Sequence, residues 1–134
     1  MPGERRALLV LREVFADRHR FAEIQASLGV APNLLSARLK LLVEAGVLGT
    51  RTYQGPGSRH RRSYHLTRAG EELRIVLAAL QQWGDRHRPR PSGPSALRRT
   101  RSTGEAVNVG FVDEGGREVP CADVAFVVEP RPGD

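Results

Sequence analysis

A single cysteine, Cys121, stands in the chain, so no intramolecular disulfide and no cysteine-built zinc site can form. No apolar run approaches the roughly 18 residues that a membrane span needs. The first fifteen residues, MPGERRALLVLREVF, hold neither a long apolar stretch nor a small-residue cleavage site, so no signal peptide is expected and the cytoplasm is the expected location. Aromatics are 5% of the residues, too few for a deep aromatic cofactor box. The four histidines, His19, His60, His65 and His87, show no metal-ligand spacing, and no nucleophile elbow, phosphate-cradling glycine loop or H-E-x-x-H occurs. Glu71 and Glu72 are adjacent on one expected helix, so they diverge and cannot work as a pair across a cleft. No catalytic residue, metal or cofactor is therefore assigned, and an enzyme is not expected.

What the chain has is positive charge, unevenly placed. Its 134 residues allow one domain with appendages or two very small ones, and 40% apolar content suffices for a modest core. Net charge is +6 and the sequence pI is near 10.9, which favours a polyanionic partner. Residues 1–95 hold 16 Lys+Arg against 8 Asp+Glu, whereas residues 96–134 hold 5 against 7. The basic charge belongs to the helix-rich part.

The stretch RFAEIQASLGVAPNLLSARLKLLVE, from Arg20 to Glu44, organises that part. Phe21, Ile24 and Leu28 recur at the spacing of one buried helical face. Gly29 stands where a helix C-terminus needs positive φ, and Pro32 suits the first turn of a following helix. Leu35, Leu39, Leu42 and Val43 then form a core-facing stripe. The opposite face holds Asn33, Ala37, Lys40 and Glu44, flanked by Ser36 and Arg38. Such a face suits a helix entering the DNA major groove, and it equally suits an ordinary helical hairpin with a solvated side.

The flanking segments tip that balance. Glu4 to Asp17 is a helix candidate with Ala7, Leu8, Leu11, Val14 and Phe15 on one face. Val47–Gln54 and Arg61–Thr67 read as two strands joined by Gly55-Pro56-Gly57-Ser58 and the basic run Arg59, His60, Arg61 and Arg62. Thr67 is a plausible N-cap for a helix reaching Asp85, along which Ala69, Leu73, Val76, Leu80 and Trp83 recur. Helix, helix-turn-helix, two-stranded wing and long helix make a winged helix-turn-helix, mainly α with a β-hairpin (α+β). A basic hairpin beside a polar helix face divides the work between phosphates and base edges. The candidate DNA contacts are Asn33, Leu34, Ser36, Arg38, Lys40, Arg59, His60, Arg61 and Arg62. For each, a solvated surface role is the alternative. Beyond the Pro-rich stretch RHRPRPSGPS, Glu105–Val112, the turn Asp113–Gly116, Arg117–Pro120 and Asp123–Val128 read as a small β-meander. Within it Cys121 is expected to be a small buried hydrophobe. The expected organisation is a DNA-binding and dimerisation domain over 1–88, a linker over 89–95 and a β-rich extension over 96–134.

The run from Ala7 to His87, some 60% of the chain, resembles the HxlR-type transcriptional regulators of the MarR-like winged-helix group. The resemblance rests on RF-x-E-I, L-S-x-R-L-K-x-L, E-A-G-V-L, Y-x-L-T-x-x-G and a closing Trp-Gly, specific together though not singly. It implies a homodimer on a pseudo-palindromic operator, with dimer contacts from the first and last helices. Leu8, Leu11, Leu73, Val76, Leu77, Leu80 and Trp83 are the residues expected there. Family members usually carry an N-terminal cysteine and a Gly-Gly-Lys-Trp-like lead-in, and neither occurs in this sequence, so cysteine-based sensing is not carried over. Paired cysteines that give some members a zinc-ribbon-like tail are likewise reduced to Cys121. The expected function is a sequence-specific DNA-binding regulator, most simply a repressor. A small apolar or aromatic effector bound between the last helix and the first is a further candidate partner, the alternative being that these residues simply fill the interface; a membrane is not expected. The alternative is a winged-helix module that grips protein or RNA without reading DNA sequence.

Overall fold

The computed structural model describes residues 2–54, 60–94 and 97–129, with the backbone alone for 2–6 and 60. The expected wing tip, Gly55 to Ser58, and Arg59 lie outside the described residues. Helix α1 spans Pro2–Phe15 and turns Val10, Leu11 and Val14 into the core, with Ala7, Leu8 and Phe15 packed around them. Asp17 follows at φ +64, a left-handed position that aspartate tolerates better than bulkier residues. Helix α2, Phe21–Leu28, starts from Arg20, whose N–H donates to Glu23 Oε1, and ends on Gly29 at φ 66. Helix α3, Pro32–Glu44, opens with the proline in its first turn and buries Leu35, Leu39 and Leu42. Ile24 of α2, at 0% exposure, is the most deeply enclosed side chain of that core.

Strands β1, Leu48–Gln54, and β2, His60–Leu66, pair antiparallel with Leu48 opposite Leu66 and Gln54 opposite His60. The link between α1 and α2 adds to this hairpin as a third, one-bridge strand. Arg20 pairs with Ser63, Tyr64 N–H donates to His19 O at 2.8 Å, and His19 Nδ1–H donates to Tyr64 O at 2.9 Å. Thr67 caps the next helix as expected, its Oγ1 accepting from Gly70 N–H at 3.1 Å. The single expected helix is two, α4 (Arg68–Glu72) and α5 (Arg74–His87), interrupted at Leu73. Leu73 and Leu77 pack on the core, which holds the start of α5 in place. Gly70 is required where it stands, because a Cβ there would collide with the Val47 carbonyl oxygen.

The chain divides into two compact units within α5, residues 1–77 and 78–134, rather than at the Pro-rich stretch. In the second unit the C-terminal half of α5 anchors the tail. Gln82 exchanges two hydrogen bonds with the Val109 backbone, and Arg98 bonds Gln81 at 2.8 Å. The expected meander is much reduced. Among the described residues of the tail only β3 (Phe111–Val112) and β4 (Glu118–Val119) pair, around a turn in which Asp113 Oδ1 accepts from Gly115 N–H and Arg117 N–H. Residues 105–110 form a single bridge, Ala106 to Arg99, and the expected strand over Asp123–Val128 is instead a 3-10 turn, Cys121–Asp123, followed by irregular chain. Cys121 is exposed, not buried, because no sheet layer covers it among the described residues.

Candidate nucleic-acid interface

The leucine stripe of α3 fixes which way its other face points. With Leu35, Leu39 and Leu42 enclosed, Asn33, Leu34, Ser36, Ala37 and Lys40 are all exposed. Ala31 precedes the helix without a side chain that could cap it. The first turn therefore offers polar side chains beside the positive end of the helix dipole, the arrangement that anions and base edges favour. Among the described residues Lys40 is held only by a 4.0 Å contact to Glu44 between two exposed groups, a pairing worth little in water. Arg38 differs from its neighbours. It is half-buried, and its Nε has no hydrogen-bond partner among the described residues.

The turn that orients α3 is well supported. Gly29 N–H donates to Gln25 O at 2.8 Å, and Gln25 Nε2 reaches Val30 O at 3.4 Å. Glu13, 4% exposed on α1, accepts from Ser27 Oγ at 2.7 Å and from Arg18 Nη1 at 3.0 Å. That buried carboxylate pins α1 to the end of α2. Periodicity gave no sign of it, since its partners lie 5 and 14 residues away.

The wing divides the basic run. Opposed residues of an antiparallel pair share a face, so Arg62 lies with Thr52, on the face that begins with Leu48 and Leu66. Arg61 lies with Tyr53 on the other face, together with Arg51 and Ser63. Arg20 joins that second face through its bridge to Ser63 and stacks over the Tyr53 ring at 4.3 Å. Arg61 and Arg62, two of the four consecutive residues expected to act as one contact, therefore lie on opposite faces of the hairpin. Two further arginines that the sequence pattern did not single out, Arg20 and Arg51, share the face of Arg61, and only strand register reveals them. His60 lies at the start of β2 opposite Gln54, its backbone alone described.

At the root of the wing the His65 ring stacks on His19 at 4.5 Å and shares a 2.7 Å hydrogen bond with Ser63 Oγ. Burial, the Arg51 guanidinium and then His19 hold the His65 imidazole below its ordinary value of 6.5.

The residues expected at a self-interface separate into two groups. Leu11 is 2% exposed in the single chain, and Leu8, Leu73 and Leu77 pack around the same core. The Leu11 side chain is spent on the chain's own interior. Val76, Leu80 and Trp83 remain open, Trp83 at 56% exposure. Among the described residues no helix is long and apolar enough to cross a membrane, and no cluster of His, Cys, Asp and Glu could bind a metal.

Residues 2–92 match the HxlR-like helix-turn-helix family. Over 132 residues the chain is 38% identical to an HTH-type transcriptional regulator of Mycobacterium tuberculosis, covering 98% of this chain and 81% of that protein. Among solved structures it is similar to PA1607, a candidate transcription factor, with a TM-score of 0.75 and 30% identity over 91% of this chain and 84% of that one. PA1374 of Pseudomonas aeruginosa, another candidate transcription factor, gives 0.66 and 35% over 94% and 84%.

Proposed function

Because the chain belongs to the HxlR-like helix-turn-helix family, we propose that it acts as a homodimer on a two-fold operator and represses by occluding a promoter. It is a transcriptional regulator with a helix-turn-helix DNA-binding domain. In this reading α3 of each copy enters the major groove, where Asn33 and Ser36 meet base edges, Leu34 meets a thymine methyl and Lys40 fixes register. Arg38, half-buried on the flank of that face, donates from the open part of its guanidinium to a phosphate oxygen. Arg61 with Arg51 and Arg20, and Arg62 on the opposite face, hold the backbone on either side of the wing.

The observation that carries this reading is the pairing of an exposed polar first turn on α3 with a wing bearing arginines on both faces. The two parts have separable signatures. Replacing Arg51, Arg61 and Arg62 by Ala is expected to weaken binding to every sequence and to flatten the log–log salt slope by about one for each phosphate left unneutralised. Asn33→Ala with Ser36→Ala is expected to reduce discrimination between operator and random duplex by about 1–3 kcal/mol for each base edge left unread. Fluorescence anisotropy across a salt series measures both. Equal losses from the two sets, with discrimination intact, contradict the assignment.

A further inference from the structure

No described residue of the second unit is buried, yet that unit carries large apolar side chains throughout. The segment Val124-Ala125-Phe126-Val127-Val128, just before the last described residue Glu129, is the extreme case. It is uncharged, takes no regular structure, and leaves Phe126 92%, Val127 82% and Val128 90% exposed. Contiguous apolar surface of this kind marks an interaction site. A two-stranded sheet of two-residue strands gives it no interior of its own.

Charge narrows the choice of what covers it. Residues 78–134 hold eight arginines and eight carboxylates, so this unit has no net charge to draw a polyanion. The partner must be apolar. A second copy presents the same neutral, apolar surface in equal amount, and a two-fold exchange covers both copies while leaving no open end. The amount is also sufficient. A stable interface takes roughly 800 Å² from each partner, and the large apolar side chains exposed between 42% and 92% in this unit supply area of that order. Leu80 and Trp83 are the best acceptor, because α5 already holds them on a formed helix.

We propose that Val124–Val128 is an exchanged arm, packing Phe126 and Val128 against Leu80 and Trp83 of a second copy. This rests on the homodimer proposed above and assigns the C-terminal region the task of closing it. The test uses the full chain in sedimentation velocity and in hydrogen exchange over a concentration series. The wild type is expected to dimerise, with amides of the arm protected when concentrated and released on dilution. Phe126→Asp with Val128→Asp is expected to raise the dimer Kd about a hundredfold or more, a loss of about 2.7 kcal/mol, with the thermal melt of the diluted chain unchanged. Mixing that variant with Leu80→Asp/Trp83→Asp is expected to restore a dimer tighter than either variant forms alone, because one arm and one acceptor are then intact. A wild-type dimer whose arm exchanges freely, and whose affinity the arm variant leaves unaltered, overturns the exchange while the homodimer stands. A wild type that stays monomeric at every concentration overturns the homodimer itself.

Discussion

Every buried side chain among the described residues lies in the first 77 positions, and so does the net charge. There 13 Lys+Arg stand against 7 Asp+Glu, giving the whole of the +6, while the rest of the chain is neutral. The first unit closes a core from α1, α2, α3 and β1 and turns its cations outward on α3 and the wing. Among the described residues of the second, large apolar side chains are exposed and none is buried. One unit carries the buried core and the net positive charge, and the other carries exposed apolar side chains without net charge.

The most direct way to break that contrast is to damage each unit in turn. Ile24→Ala leaves a cavity where no solvent reaches, and is expected to cost about 2–5 kcal/mol. Phe126→Ala, measured in dilute chain, is expected to change stability by less than about 0.5 kcal/mol, as exposed positions do. Chemical denaturation of both variants checks this, and comparable losses would show that the second unit has an interior after all. Gly70→Ala comes next. Its methyl would collide with the Val47 carbonyl oxygen, and moving that backbone is expected to cost about 1–3 kcal/mol. A melt indistinguishable from wild type would mean that α4 can move away from the Val47 backbone freely.

The smallest effect is a pH dependence confined to the first unit. His65 faces Arg51 from β1 and Ser63 from its own strand, and from the α1–α2 link it meets His19, whose Nε2 lies 3.8 Å from Asp17. Its folded pKa is held below 6.5, so the folded chain takes up a proton less readily than the unfolded chain. The stability tied to this group is complete above pH 6.5 and is lost as pH falls from there toward the folded value. Melting temperatures between about pH 7.5 and 5.0 are expected to fall less steeply in His65→Gln than in wild type. Identical slopes would remove His65 from the account.

How far the sequence revealed each unit follows the same division. Gly29, Pro32, the leucine stripe and the Thr67 cap are local signals, and the elements they mark form where expected. The winged helix-turn-helix was legible because each of its parts has its own period or its own punctuation. Pairings between distant elements were not legible. Glu13 with Ser27 depends on how helices cross, and Arg51 with Arg61 depends on a register that places Tyr53 opposite Arg61. The meander was over-read because β-branched runs such as VAFVV signal a preference for burial. They do not say which chain provides it. The interruption of the last helix at Leu73 had no local marker, since neither proline nor glycine stands there.

The central claim is that two copies of the first unit read a two-fold DNA sequence. Selection of duplexes from a random pool by the purified chain at near-physiological salt tests it most directly. The account predicts enrichment of an inverted repeat whose half-sites lie about 34–36 Å apart, one helical turn or a multiple of it. Recovery of no motif, with binding that vanishes as salt rises, would contradict it and leave only the attraction of a basic surface for a polyanion.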